Sequence, residues 1–268
     1  MITITNTTVT KRVKNIKQPR GGYLRKNQFE VLTFEDGREI RTNGVTAPSL
    51  IGSAVDYLTR WQAGAELTEA FRISLLGAAS RDLRMNLCSD EPDREKEYAN
   101  ELLKEMTGLD DRSIINACKL AGYDVCYRNP FSEYKPVQDI QPNQADIDNV
   151  RIMVERNLSF FNAHGPIVKV GFTLEGGYTD IISSGDGDYL TADALWDLKV
   201  SSREPLKEHT LQLLVYYIMG LHSVHPEFNG VKKLGIFNPR LNTAYTVDIA
   251  TIPQETMDAV SREVIGYK

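Results

Sequence analysis

The sequence predicts a mixed α/β (α+β) chain whose strand-rich core is interrupted by a helical insertion. Three observations carry this expectation. Residues 66–163 place apolar side chains at the 3.6-residue helical period. Residues 166–250 instead carry short runs with strand character. One long, nearly all-apolar stretch at 205–222 divides those runs as a buried helix would.

The elements follow in chain order. Residues 22–42 (GGYLRKNQFEVLTFEDGREIR) read as two short strands around a turn at 35–37. A helix begins at the Pro48 and Ser49 start signal, with Leu50, Ala54, Tyr57 and Leu58 recurring at helical spacing. ELTEAFRISLLGAAS, REKEYANELLKEM and DDRSIINACKLAGYD each continue the helical pattern. The last of these also has the look of a helix-turn-helix, although helix pairs around a glycine turn are ordinary packing units. Residues 129–141 form a proline-containing loop, and 143–163 a helix with Ile147, Val150, Met153, Val154 and Leu158 on its apolar side. Strands are then expected at 166–175, in YTDIISSGDGDYL, in ALWDLKVSS and in KKLGIFNPRLNTAYTVDI, with a final helix at 253–265.

Length and composition narrow the class. A chain of 268 residues suits one large domain, or one core with an insertion. Ordinary apolar (41%) and charged (25%) shares exclude a low-complexity or fibrous chain. No apolar run approaches 18 residues, so no membrane partner is expected. The first residues, MITITNTTVTKRVKN, lack the apolar core of a secretory signal. Cys88, Cys118 and Cys126 form no CxxC pair, which argues against a disulfide framework or structural zinc and for a reducing, cytoplasmic setting. The net charge of −5 does not mark a nucleic-acid binder, but Lys11, Arg12, Lys14, Lys17, Arg20, Arg25 and Lys26 precede the first acid, Glu30. That segment reads either as a solvated terminus or as an arm contacting phosphates.

Chemistry concentrates in GDGDYLTADALWDLKVSS, residues 185–202. If TADA at 191–194 is a turn, Leu190 faces Leu195, Tyr189 faces Trp196 and Asp188 faces Asp197. Opposed residues on a hairpin face have Cβ atoms about 4.5–5.5 Å apart. Two carboxylates so placed repel unless a cation lies between them, and Mg²⁺ favours one or two carboxylates plus waters. Lys199 shares the face of Asp197, because strand side chains repeat every two residues. Phosphodiester hydrolysis needs such a set: a metal to polarise the phosphate and acidify a water, and a cation near the developing charge. On the following helix Gln212 and Tyr216 stand four residues apart on one face, where a buried amide and hydroxyl need polar partners.

Together, Gly185 and Asp188, Asp197 and Lys199, and Gln212 and Tyr216 resemble the G-x-x-D, (D/E)-x-K and Q-x-x-x-Y signature of the PD-(D/E)XK nucleases, on the RecB and lambda-exonuclease branch. The likeness covers about the last third of the chain. It implies a restriction-endonuclease-like core, a mixed central β-sheet flanked by helices. By resemblance, Asp188 and Asp197 bind Mg²⁺ or Mn²⁺, with the backbone carbonyl of Leu198 completing the metal shell. Lys199 assists the attacking water, and Gln212 and Tyr216 line the site near DNA. The family also carries an upstream helical G-x-x-x-His or a Glu. Here GSAVD at 52–56 has Asp56 at that position, either a third metal ligand or a surface aspartate near a helix start; Glu66 and Glu69 are weaker candidates. The expected layout is one nuclease domain: basic arm and β-hairpin at 1–46, catalytic core at 47–63 and 164–268, and helical insertion at 64–163. Some relatives hold an iron–sulfur cluster on four cysteines; three badly spaced cysteines predict none here.

Competing readings have less support in the residues. A second G-x-x-D ends at Asp180, but TADA makes the better turn opposite Asp197, leaving Asp180 as a strand-end residue. Asp186 and Asp188 do not continue into a calcium loop. His164, His209, His222 and His225 form no i, i+4 metal pair. The expected activity is therefore hydrolysis of DNA by an exonuclease in recombination, repair or phage-type DNA processing. The rivals are a non-catalytic DNA-binding or assembly protein that keeps the fold, and a restriction-type endonuclease. Strandedness, DNA versus RNA, and whether the chain works as a homo-oligomer or with a recombination partner are left open.

Overall fold

A computed structural model describes residues 7–86, 94–129 and 132–268. In chain order its elements are α1 (Val9–Asn15), β1 (Glu30–Thr33), α2 (Pro48–Gln62), α3 (Leu67–Ala70), α4 (Arg72–Asn86), α5 (Arg94–Lys104), α6 (Asp111–Ala121), α7 (Asp124–Arg128), α8 (Gln144–His164), β2 (Ile167–Thr173), β3 (Asp186–Thr191), β4 (Ala194–Leu198), α9 (Lys207–Leu221), β5 (Lys233–Asn238), β6 (Thr243–Asp248) and α10 (Gln254–Ala259), which continues into a π-helical turn, Val260–Ile265. The chain divides into two compact units, 1–35 with 160–268, and 36–159. Among the described residues no helix is long and apolar enough to cross a membrane.

The first unit holds a six-stranded mixed sheet in the order β1-β6-β5-β4-β3-β2. All neighbours are antiparallel except β4 and β5, which are parallel and connected through α9. A parallel pair requires such a crossover, because a tight turn cannot reverse the chain twice. On one face, Phe160 stacks on Phe237 with ring centroids 4.1 Å apart and meets Trp196 edge-on, while Phe161 packs against Tyr189. The other face, with Leu190, Leu195, Leu234 and Ile236, belongs to the main apolar core with α9. Every residue of α9 from Thr210 to Gly220 is buried, because the helix also packs on α1 and on the π-helical turn. Covering on both sides explains a sequence that is apolar all round.

Two expectations about strands are corrected. Residues 22–42 do not make a hairpin. β1 instead pairs with β6, from Glu30 opposite Thr246 to Thr33 opposite Thr243. The expected second strand, 38–42, lies in the other unit, within a 36–46 strap on α8. Arg41 exchanges two hydrogen bonds with the Asn149 side chain, and Val45 and Thr46 donate their N–H groups to Asp146. Side chains of α8 therefore satisfy backbone groups that a hairpin would have paired. The strand expected in YTDIISSGDGDYL forms only from Asp186 onward, as β3: 174–185 is a looped connection that turns at Gly176, with φ +89°, and is fixed by Tyr178 and Thr179. The Tyr178 hydroxyl accepts from Leu174 N–H and donates to the Gly185 carbonyl, and Thr179 Oγ1 donates to the Ile265 carbonyl.

The second unit is helical. α2 packs on α6, and α4 on α5 and α7. Its buried Asp124 is paired: it accepts from the Tyr57 hydroxyl at 2.5 Å and from Ser74 Oγ at 2.8 Å. The nearly buried Arg156 grips Asp36 through Nε at 2.8 Å and Nη2 at 2.9 Å. This guanidinium holds the Asp36 carboxyl well below the usual carboxylate range. Cys118 and Cys126 are free and buried here, and burial pushes the Cys118 thiol up to about 12; Cys88 lies outside the described residues. Helix α2, expected to accompany the catalytic strands, groups with this unit.

Candidate active site

The hairpin β3–β4 forms in the expected register, Tyr189 opposite Trp196 and Leu190 opposite Leu195. With Tyr189 and Trp196 committed to the phenylalanine face, alternation turns Asp188, Asp197 and Lys199 toward α9. The regular ladder ends at these acids. Asp188 extends its carboxylate across the strands instead, and Oδ2 accepts the Leu198 N–H at 2.8 Å. The contact with Leu198 is thus through its N–H.

Asp197 is 3% exposed, which makes it the most deeply placed carboxylate of the group. Lys199 Nζ touches its Oδ2 at 2.6 Å, with the side chain of the lysine 23% exposed. The approach falls outside hydrogen-bonding angles, so among the described residues Oδ2 has no hydrogen-bond partner. The charge of this buried oxygen is balanced by the Lys199 ammonium, and a carboxylate so deeply placed depends on a positive neighbour. It is a fitting ligand for a hard divalent cation, which takes carboxylate oxygens. Among the described residues no cluster of three or more His, Cys, Asp or Glu has metal-binding spacing.

Helix α9 supplies the roof. Gln212 Nε2 donates to the Tyr216 hydroxyl at 2.9 Å and to Thr10 Oγ1 of α1 at 3.1 Å. Both residues are buried. The Tyr216 hydroxyl is raised well above its ordinary value, chiefly by burial and then by the charges of Asp186, Asp197 and Asp188. It stays protonated and remains a donor. Two-residue alternation along β3 and β4 turns these acids toward the helix.

Three contributors were not found in the sequence. His209 lies one turn before Gln212 on α9, and its Nδ1 accepts the Leu206 N–H at 3.2 Å. Burial lowers its basicity first, followed by the Lys199 charge, with Asp197 and Glu208 opposing. Asp186, two residues before Asp188, is exposed on the same strand face. The third is α1, capped by Thr8, whose Val9 and Val13 are fully buried beside α9. Gly185 makes its approach possible: a Cβ there would stand 2.6 Å from Val9 Cγ2. The i, i+4 spacing of Val9 and Val13 behind a threonine cap was the available signal for this helix.

Other expected residues lie elsewhere. Asp180 is exposed in the loop between β2 and β3. Asp56 sits on α2 of the second unit, its carboxylate bound by Arg60 one turn on at 2.7 and 2.9 Å. The basic segment is ordered over 7–29 rather than a free arm. Arg12 donates to the Val264 and Glu263 carbonyls, whereas Lys11, Lys14, Lys17, Arg20, Arg25 and Lys26 are exposed. Comparison with profiles of known protein families, with characterised proteins and with solved structures finds no match.

Proposed function

We propose that this chain is a metal-dependent nuclease that hydrolyses DNA phosphodiester bonds, an exonuclease of the kind used in recombination, repair or phage-type DNA processing. The observation that carries the reading is the meeting of Asp188, Asp197 and Lys199 on the α9 face of one hairpin, with the buried Asp197 oxygen paired to the Lys199 ammonium at its centre. Asp188 and Asp197, with the Leu198 carbonyl, would hold Mg²⁺ or Mn²⁺. When bound, such an ion polarises the phosphate and acidifies a water.

The chain's own groups set the rest of the chemistry. Lys199 is held beside Asp197 and supplies positive charge where the phosphate becomes more negative. The lysine side chain is 23% exposed, so its ammonium also has access to the water side of the site. Tyr216, held protonated beside the charges of the acid cluster, keeps a hydroxyl donor, while Gln212 fixes that hydroxyl and ties α9 to α1. The exposed lysines and arginines of 11–26 belong to the same unit and suit contacts to the DNA backbone.

Lys199→Ala tests the reading. DNA binding by gel shift in Ca²⁺ should change little, while cleavage in Mn²⁺ should fall by at least a hundredfold. Cleavage at the wild-type rate would remove Lys199 from the chemistry and, with it, the nuclease assignment.

A further inference from the structure

We propose that His209 is a phosphate-binding residue of this site, donating its Nε2–H to a non-bridging oxygen of the phosphodiester held there. The inference rests on the nuclease reading above and extends it to a residue outside the resemblance.

Three observations support it. First, His209 lies on the same helical face as Gln212 and Tyr216, three and seven residues before them, so it borders the acid cluster from the α9 side. Second, its tautomer is fixed. Nδ1 accepts the Leu206 N–H at 3.2 Å, so the ring proton must reside on Nε2. Among the described residues no protein group takes that proton. Third, the ring is kept neutral. It is partly buried in the first turn of α9, where the positive end of the helix disfavours a second positive charge. The charged groups around it are Lys199 and Asp197 from β4, Glu208 from α9 and Lys14 from α1, and burial with the two lysines outweighs the acids.

A neutral imidazole of this kind is a donor without a net charge. Beside Lys199 it can hold an anionic oxygen without adding a positive charge that would repel the metal. An imidazolium would also lose the Leu206 bond, since Nδ1 would itself become a donor. The residue type is therefore matched to a phosphate arriving between the lysine and the first turn of α9.

Three substitutions separate this role from simple helix capping. His209→Gln places an amide Nε2 near the original donor but gives up the Nδ1 acceptor. His209→Asn keeps an acceptor for the Leu206 N–H but cannot reach the phosphate. His209→Ala has neither. The assay is single-turnover cleavage of end-labelled linear duplex in Mn²⁺, with DNA affinity measured in Ca²⁺ and Tm by thermal unfolding. A charge-assisted hydrogen bond of this type is worth about ten- to a hundredfold in rate. His209→Ala and His209→Asn should lose that factor with affinity within about twofold, and His209→Gln should recover most of it. Full activity in His209→Asn with loss in His209→Gln would assign the residue to capping alone and overturn the proposal, as would wild-type rates in all three. Wild-type protein that cleaves nothing fails the nuclease reading and this role together; wild-type cleavage with unaffected variants fails this role alone.

Discussion

The charge balance at Asp197 predicts an asymmetry between two substitutions that each break the same ion pair. Lys199→Met leaves a carboxylate that is 3% exposed and whose Oδ2 is deprived of its nearest positive charge. Removing one partner of a fully buried pair costs about 3–5 kcal/mol, and the 23% exposure of Lys199 discounts that to about 2–3 kcal/mol. For a protein of this size that corresponds to a fall in Tm of roughly 5–10 °C. Asp197→Asn has the opposite character. It removes the buried charge and leaves a lysine whose flexible stem can turn its head to water, so the metal-free protein should stay within about 1 kcal/mol of wild type. Mn²⁺ should then reverse the order. An ion present at a hundred times its dissociation constant stabilises by about 2.7 kcal/mol. That gain should be largest in Lys199→Met, where Asp197 is released, and absent in Asp197→Asn. Thermal unfolding of the three proteins in EDTA and in Mn²⁺ measures both effects. If Asp197→Asn were the less stable variant in EDTA, or if Mn²⁺ protected it as well as wild type, the reasoning about the buried Asp197 charge would be refuted.

Other consequences are tested more simply. Replacing Lys11, Lys14, Lys17 and Arg20 together by Gln should flatten the salt dependence of DNA binding by about 0.9 in log–log slope for each phosphate that is no longer neutralised, and an unchanged slope would remove this surface from the interface. Val13→Asp should prevent folding of the first unit, whereas a soluble, cooperatively unfolding variant would show that α1 is dispensable. The Asp36 carboxyl has a folded pKa below its unfolded one, so its contribution to stability is complete above the ordinary carboxylate value of about 3.9 and is lost as pH falls through the folded value. Asp36→Asn should therefore lower stability at pH 7 and make it less dependent on pH below 4; parallel curves for wild type and variant would contradict the Arg156 pairing.

The hairpin register was legible because its determinants are local. TADA supplies the reversal, two-residue alternation sorts Tyr189 and Trp196 from Asp188 and Asp197, and everything needed lies within 185–199. The same holds for α9, where a buried helix interrupted by Gln212 and Tyr216 announces polar company. What failed depended on distant partners. β1 is four residues long and finds β6 more than two hundred residues later, a pairing that no nearby turn encodes. The 36–46 strap has strand-like composition, but its backbone groups are satisfied by Asn149 and Asp146, side chains a hundred residues away. Charge obscured α1: the lysines and arginine of VTKRVKN suggested a solvated arm, while the two valines that anchor it are a small part of the segment. His209 was passed over because its value depends on one backbone N–H and on Lys199 across the site, neither visible as a spacing.

The most direct measurement is digestion of an end-labelled linear duplex beside a closed circle, in Mn²⁺ and in EDTA, by wild type and by Asp197→Ala. The account predicts loss of the linear DNA alone, only with metal, and only with wild type. Survival of both substrates in Mn²⁺ with DNA still bound by wild type, or equal cleavage by Asp197→Ala, would contradict it.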